Sequence, residues 1–178
     1  MIRNWSPALF AAVACLTACP SRQHSPTTEP APNVLTWPAD LVLTDSLEPK
    51  PVKHVFPTYP PRYQTEGTGA VLVAVYVVDT TGRADLGSVR FLLDAPHPFA
   101  TAICDALKRM RFEPVRRDGQ LRPALVIAPY GFFVPREGES SGPGWPRDRP
   151  DVAAVRESIR QTGLPAAREQ LASRPGCG

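Results

Sequence analysis

A chain of 178 residues with 43% hydrophobic content holds the material for one ordinary domain with tails, and not for two. Its formal charge of +3 is mild, and no Lys/Arg run interleaved with aromatics forms a nucleic-acid footprint, so no nucleic-acid partner is expected. The 22 prolines gather near residues 20–61 and 129–150, which leaves the middle of the chain as the candidate domain.

The chain opens with MIRNWSPALFAAVACLTACP: a positive start at Arg3, an apolar stretch from Ala8 to Leu16, and a close on Leu16-Thr17-Ala18-Cys19. Residues 1–18 read as an export signal peptide. The apolar stretch falls short of the roughly 20 residues that a bilayer-spanning helix needs. Its last four residues resemble the lipobox of bacterial lipoproteins, which implies Cys19 as the lipidation site and first mature residue. Several acyl chains, at about 0.8 kcal/mol per buried CH2, would then hold the protein to the membrane. Cys15 would leave with the signal, so Cys104 and Cys177 remain as thiols. They can pair in an oxidising periplasm. The plainer expectation is that Cys104 is a small apolar residue on a helix flank and that Cys177 lies in a frayed tail.

Residues 19–55 are rich in Pro, Ser, Thr and charge and read as an extended tether. VLTWPADLVL is an apolar island within it, with its own domain as the expected docking surface. The domain itself is expected at 56–135. The stiff Tyr59-Pro60-Pro61 turn leads to VLVAVYVVD, a strand by length and β-branched content. Alternation places Val71, Val73, Val75 and Val77 on one face and Leu72, Ala74, Tyr76 and Val78 on the other. Both faces are apolar and both need cover. DTTGRAD supplies a turn with Gly82 free to take positive φ, and LGSVRFLL the second strand of a hairpin, with Val89 and Phe91 on one face.

HPFATAICDALKRM reads as a helix begun by Pro98. Phe99, Ala102, Ile103, Ala106, Leu107 and Met110 form its apolar stripe, expected to cover the Val71/Val73/Val75/Val77 face. Lys108, Arg109 and Arg111 read as a solvated end favoured by the macrodipole. After a turn at Asp118-Gly119, LRPALVIAPYGFFV is a third strand. Pro123 and Pro129 place it at a sheet edge, where Ala124, Leu125, Val126, Ile127 and Ala128 offer backbone groups to an added peptide strand. Residues 136–150 have a linker's composition. Residues 151–178 read as a helical tail, capped by Asp151, interrupted at Gly163 and resumed at Pro165. Whether that tail covers the second face of the sheet or hangs loose is open. A homodimer that covers the Leu72/Ala74/Tyr76/Val78 face is the alternative.

Chemistry is sparse. His24, His54 and His97 have no metal-ligand spacing. No nucleophile elbow, phosphate loop or dinucleotide fingerprint occurs, and Cys104 has only His97 nearby as a base, nearly two helical turns away. No cofactor and no enzymatic activity are expected.

In their order and spacing these pieces resemble the TonB C-terminal domain family, from about Pro57 to Val134. The likeness is carried by Tyr59-Pro60, Gly67 or Gly69 ahead of VLVAVYVV, Gly82, the aliphatic helix, Phe112, Pro114, Asp118, Gly119 and a strand ending at Phe132 or Phe133. It implies an α+β fold: a small antiparallel sheet of about three strands with one helix on a face, here with a C-terminal helical extension. By the same likeness, Tyr59, Pro60 and the Ala124–Ala128 edge meet a short extended periplasmic segment of an outer-membrane transporter, in energy-coupled transport. The lipobox departs from the family's membrane-anchored transducers. It points to a lipid anchor on the periplasmic side, at the outer membrane rather than the inner, and to a second reading as a tethered peptide-binding scaffold that transmits no force.

Overall fold

The computed structural model describes residues 35–44, 49–92, 96–133 and 151–177. In chain order these form β1 (Val42–Leu43), β2 (Pro51–Lys53), α1 (Pro61–Thr65), β3 (Ala70–Val78), β4 (Ala84–Phe91), α2 (His97–Arg109), β5 (Arg111–Phe112), β6 (Val115–Arg117), β7 (Gln120–Arg122), β8 (Ala124–Phe132), α3 (Val152–Thr162) and α4 (Leu164–Ala172). The fold is α+β. Its main sheet runs β1-β8-β3-β4, and two small ribbons, β2-β5 and β6-β7, flank it.

Strand β3 is central because both of its faces are apolar, and every residue from Leu72 to Val78 is at most 2% exposed. It pairs antiparallel with β8 without interruption, Ala70 opposite Phe132 through Val78 opposite Ala124. Its other neighbour, β4, closes the hairpin through a turn stabilised by Asp79. That carboxylate accepts from the Thr81 amide at 2.8 Å, the Thr81 hydroxyl at 2.7 Å and the Arg83 amide at 2.9 Å. Partial burial works to raise its pKa, but these hydrogen bonds outweigh it and hold the carboxyl below the ordinary range.

The register of β4 shifts between Val75 and Val77. There the buried Ser88 hydroxyl accepts from the Val77 amide at 2.8 Å and donates to the Asp85 carbonyl at 2.6 Å. A side chain thus replaces a missing rung of the ladder.

Helix α2 covers the face opposite to the one expected. Leu72, Ala74, Tyr76 and Val78 share a core with Phe99, Ile103, Cys104, Leu107 and Met110 of the helical segment, and with Val89, Phe91, Phe112 and Phe132. Alternation defines two faces but does not say which one a helix covers when both are apolar. The aromatics decide it. Phe91 lies opposite Ala74, Phe132 ends β8 on the same side, and Phe99 packs against Phe132 with ring centroids 4.8 Å apart.

The Val73/Val75/Val77 face is covered by Leu35, Leu41, Ile159, Ala167 and Leu171, with Trp37, Leu43, Val155 and Leu164 around them. The apolar island therefore docks on its own domain. Helices α3 and α4 close this second face, and the Leu72/Ala74/Tyr76/Val78 face, for which a homodimer was the alternative cover, is covered by α2. The expected tether end at 55 and domain start at 56 are corrected as well, since β1 and β2 already belong to the fold. Leu35 alone, 3% exposed, contributes on the order of 1.5–3 kcal/mol by burial. Proline-rich composition hid this, because it describes an average over a segment in which a few leucines carry the packing.

The cysteine expectation is also corrected: Cys104 and Cys177 form a disulfide across 73 residues, with Cα atoms 5.7 Å apart. The Asp118-Gly119 turn was legible. Both residues take positive φ, 52° and 77°, and join β6 to β7 as a two-residue hairpin.

Candidate peptide-binding edge

Strand β8 is occupied on its inner side by β3. On its outer side, the Val42 amide donates to the Pro123 carbonyl at 3.0 Å, and the Thr44 hydroxyl donates to the Leu125 carbonyl at 3.2 Å. Pro123 and Leu125 thus turn their backbone groups away from β3, and strand alternation makes Ile127, Pro129 and Gly131 do the same. This parity accounts for both prolines. The amide donors that residues 123 and 129 lack would face away from β3, so the β3–β8 ladder is undisturbed.

The edge predicted at Ala124–Ala128 is corrected in part. Strand β1 runs parallel to β8 and pairs Val42 with Ala124 and Leu43 with Leu125. Ala124, Leu125 and Ile127 have buried side chains, and Val126 and Ala128 are half-buried. Among the described residues no strand pairs with β8 on that side beyond Leu125. Among the described residues, the unpaired part of this edge is Ile127–Phe132. Prolines reveal which way the backbone faces, but not that a segment 82 positions earlier occupies the first rungs.

Tyr59 stands at the opposite end of β8. Its ring is edge-on to Phe132 at 5.5 Å and to Phe99 at 5.9 Å, and its hydroxyl donates to the Thr68 carbonyl at 2.9 Å. Burial raises the pKa of that hydroxyl. Nine residues of strand separate the two ends of β8, a span of roughly 26 Å at about 3.3 Å per step. Tyr59 therefore borders the open Ile127–Phe132 stretch and does not meet Ala124 or Leu125.

Pro60 caps α1, with Pro61 in its first turn. Tyr59, Pro60 and Pro61 face Pro98, Thr101, Ala102 and Asp105 of α2 across a surface groove of about 570 Å³. The aromatic bed under Tyr59, formed by Phe99, Tyr63 and Phe132, escapes a linear reading because its members are spread over some seventy positions.

On the same face, Tyr76 of β3 and Tyr130 of β8 both point into the α2 side of the sheet. Burial pushes Tyr76 well above the ordinary phenol range and Tyr130 up to about 12. Both are neutral hydrogen-bonding groups at physiological pH. Among the described residues no cluster of His, Cys, Asp and Glu could hold a metal ion, and no helix is long and apolar enough to cross a membrane. The lipidation residue Cys19 lies outside the described residues.

Among solved structures, the chain is similar to the solution structure of the Pseudomonas aeruginosa TonB C-terminal domain. The identity is 23%, the TM-score 0.40, and the match covers 56% of this chain and 97% of that one. No family model matches the chain, and no curated protein does.

Proposed function

We propose that this protein is a TonB-like periplasmic binding module that takes up an extended segment of an outer-membrane transporter by strand addition along Ile127–Phe132, as part of energy-coupled transport. One observation carries the reading. The outer side of β8 already accepts an extended segment, β1, in parallel register, and beyond Leu125 the same side continues towards the Tyr59–Phe132 aromatic pair. The ladder supplies affinity without sequence demand, while the aromatic border selects what lies at its end.

The residues on which the family likeness rests also meet in space, which supports it. The Phe112 amide donates to the Gly82 carbonyl at 2.9 Å, and Tyr59 packs on Phe132. No catalytic step is assigned. A lipid anchor at Cys19 on the periplasmic side of the outer membrane belongs to the same proposal.

The lipobox favours a second reading, a lipid-tethered scaffold that uses the edge without transmitting force, because acyl chains in one leaflet cannot receive torque from a membrane-embedded motor. A photo-cross-linking residue at Gly131, an exposed position on the open stretch, tests the binding claim in cells. Capture of a transporter's periplasmic segment is expected; capture of nothing but this chain's own residues overturns it. Palmitate labelling that depends on Cys19, together with outer-membrane fractionation, would separate the scaffold from the transducer.

A further inference from the structure

The second edge of the sheet is covered by a different device. Phe91 of β4 turns its amide outward, where it donates to the Pro175 carbonyl at 2.9 Å, while Leu92 turns its amide inward to Val73. After α4 the chain turns at Ser173 and Arg174, sets Pro175 and Gly176 against the outer side of β4, and reaches the disulfide that joins Cys177 to Cys104 on α2. Gly176 fits closely there. A Cβ at that position would stand 2.5 Å from the Val89 carbonyl oxygen and 2.9 Å from the Arg90 guanidinium. The Arg90 side chain, 4% exposed, is itself fixed by donating to the carbonyls of Gly87 and Val89. The strap therefore occupies a seat with two defined requirements: a carbonyl opposite the Phe91 amide and no side chain beside Val89.

We propose that the outer edge of β4 is a second acceptor for an extended peptide carrying glycine opposite Val89, and that the Cys104–Cys177 disulfide keeps it closed by holding the chain's own Ser173–Cys177 segment in the seat. A dithiol opens it. One thiolate of the dithiol attacks the Sγ of Cys177, the less buried cysteine of the pair, and Cys104 leaves as a thiolate that takes a proton. The second thiol of the dithiol then releases Cys177, leaving two thiols on the chain and one disulfide on the reductant. Without the disulfide, the segment is tied to β4 through the Phe91–Pro175 hydrogen bond and the close seat of Gly176, and a short stretch with so few ties opens locally at low cost. The Phe91 amide, no longer paired with Pro175, is then a free rung on a strand edge of the type that recruits another backbone.

The test uses the full chain with Cys15→Ser and Cys19→Ser, read by amide hydrogen exchange at Phe91, with the Tyr76 amide of the central strand as the fold control. Reduction with a small dithiol is expected to accelerate exchange at Phe91 by at least about tenfold and to leave Tyr76 unchanged. Adding Cys177→Ser gives a second route to the open state. In that variant the peptide Ser-Arg-Pro-Gly-Cys, joined to Cys104 as a mixed disulfide, is expected to restore protection at Phe91. The peptide Ser-Arg-Pro-Ala-Cys, joined in the same way, is expected not to. Unchanged Phe91 exchange on reduction overturns the latch. Equal protection by the two peptides overturns the glycine-selective acceptor, and so does edge-to-edge dimerisation of the reduced chain in place of peptide capture.

Discussion

Two glycines with nearly the same backbone provide a controlled test of the packing. Gly82 has φ +78° and Gly119 has φ +77°, so alanine at either must adopt a left-handed conformation, at about 1–2 kcal/mol. Their surroundings differ. A Cβ at Gly82 would stand 2.1 Å from the Phe112 carbonyl oxygen, whereas one at Gly119 meets nothing within 4 Å. Relieving the contact at Gly82 requires β5 to move away and stretches the buried bond from the Phe112 amide to the Gly82 carbonyl, 2.9 Å long. Leaving a buried backbone donor unsatisfied costs about 1–3 kcal/mol more. Gly119→Ala is therefore expected to cost about 1–2 kcal/mol and Gly82→Ala about 2–5 kcal/mol. Equilibrium urea unfolding of the disulfide-intact protein, with m held common, measures both. If the two variants lose the same stability within about 0.5 kcal/mol, the hairpin turn is not seated on β5 and the reasoning fails.

Replacing both Cys104 and Cys177 by alanine frees a loop of 73 residues, and the chain-entropy relation gives a loss of about 4 kcal/mol; thermal unfolding of the double variant against the oxidised parent checks it. Ser88→Ala removes the acceptor of the buried Val77 amide and is expected to cost about 1–3 kcal/mol, while Ser88→Thr, which keeps the hydroxyl, costs less by the same urea assay. Tyr130 holds its proton up to about 12 in the fold against the ordinary 10.0. The folded state thus keeps a proton that the unfolded chain gives up, and the associated stability is complete below pH 10 and lost as pH rises towards 12. Tyr130→Phe should flatten that alkaline decline in a pH series of unfolding midpoints. Asp79 works in the other direction: its lowered pKa contributes stability that is present above the ordinary carboxyl range and lost as pH falls through the folded value, a trend that Asp79→Asn should remove.

Much of the fold is set by local chemistry. The β-branched run at Val71–Val78, the Asp79–Gly82 turn, the Pro98 start and three-four stripe of α2, the Asp118-Gly119 hairpin and the Asp151 cap each follow from residues within a turn or two of one another. They need no partner to be recognised, so the sequence by itself determined an α+β domain with a buried central strand. Of the candidate site it determined the outward-facing prolines of β8 and the stiff Tyr59-Pro60 turn.

Tertiary structure decided the rest. Which face of β3 meets α2 depends on aromatics contributed by four separate segments, and periodicity cannot rank two apolar faces. Cys104 meets Cys177, and β1 meets the first rungs of β8, across 73 and 82 positions. Backbone ladders and disulfides of that kind are set by proximity in the folded state and leave no periodic signal in the chain. Which rungs of each sheet edge are taken is likewise a property of the assembled fold: among the described residues β1 takes the first rungs of β8, and Pro175 takes the Phe91 rung of β4.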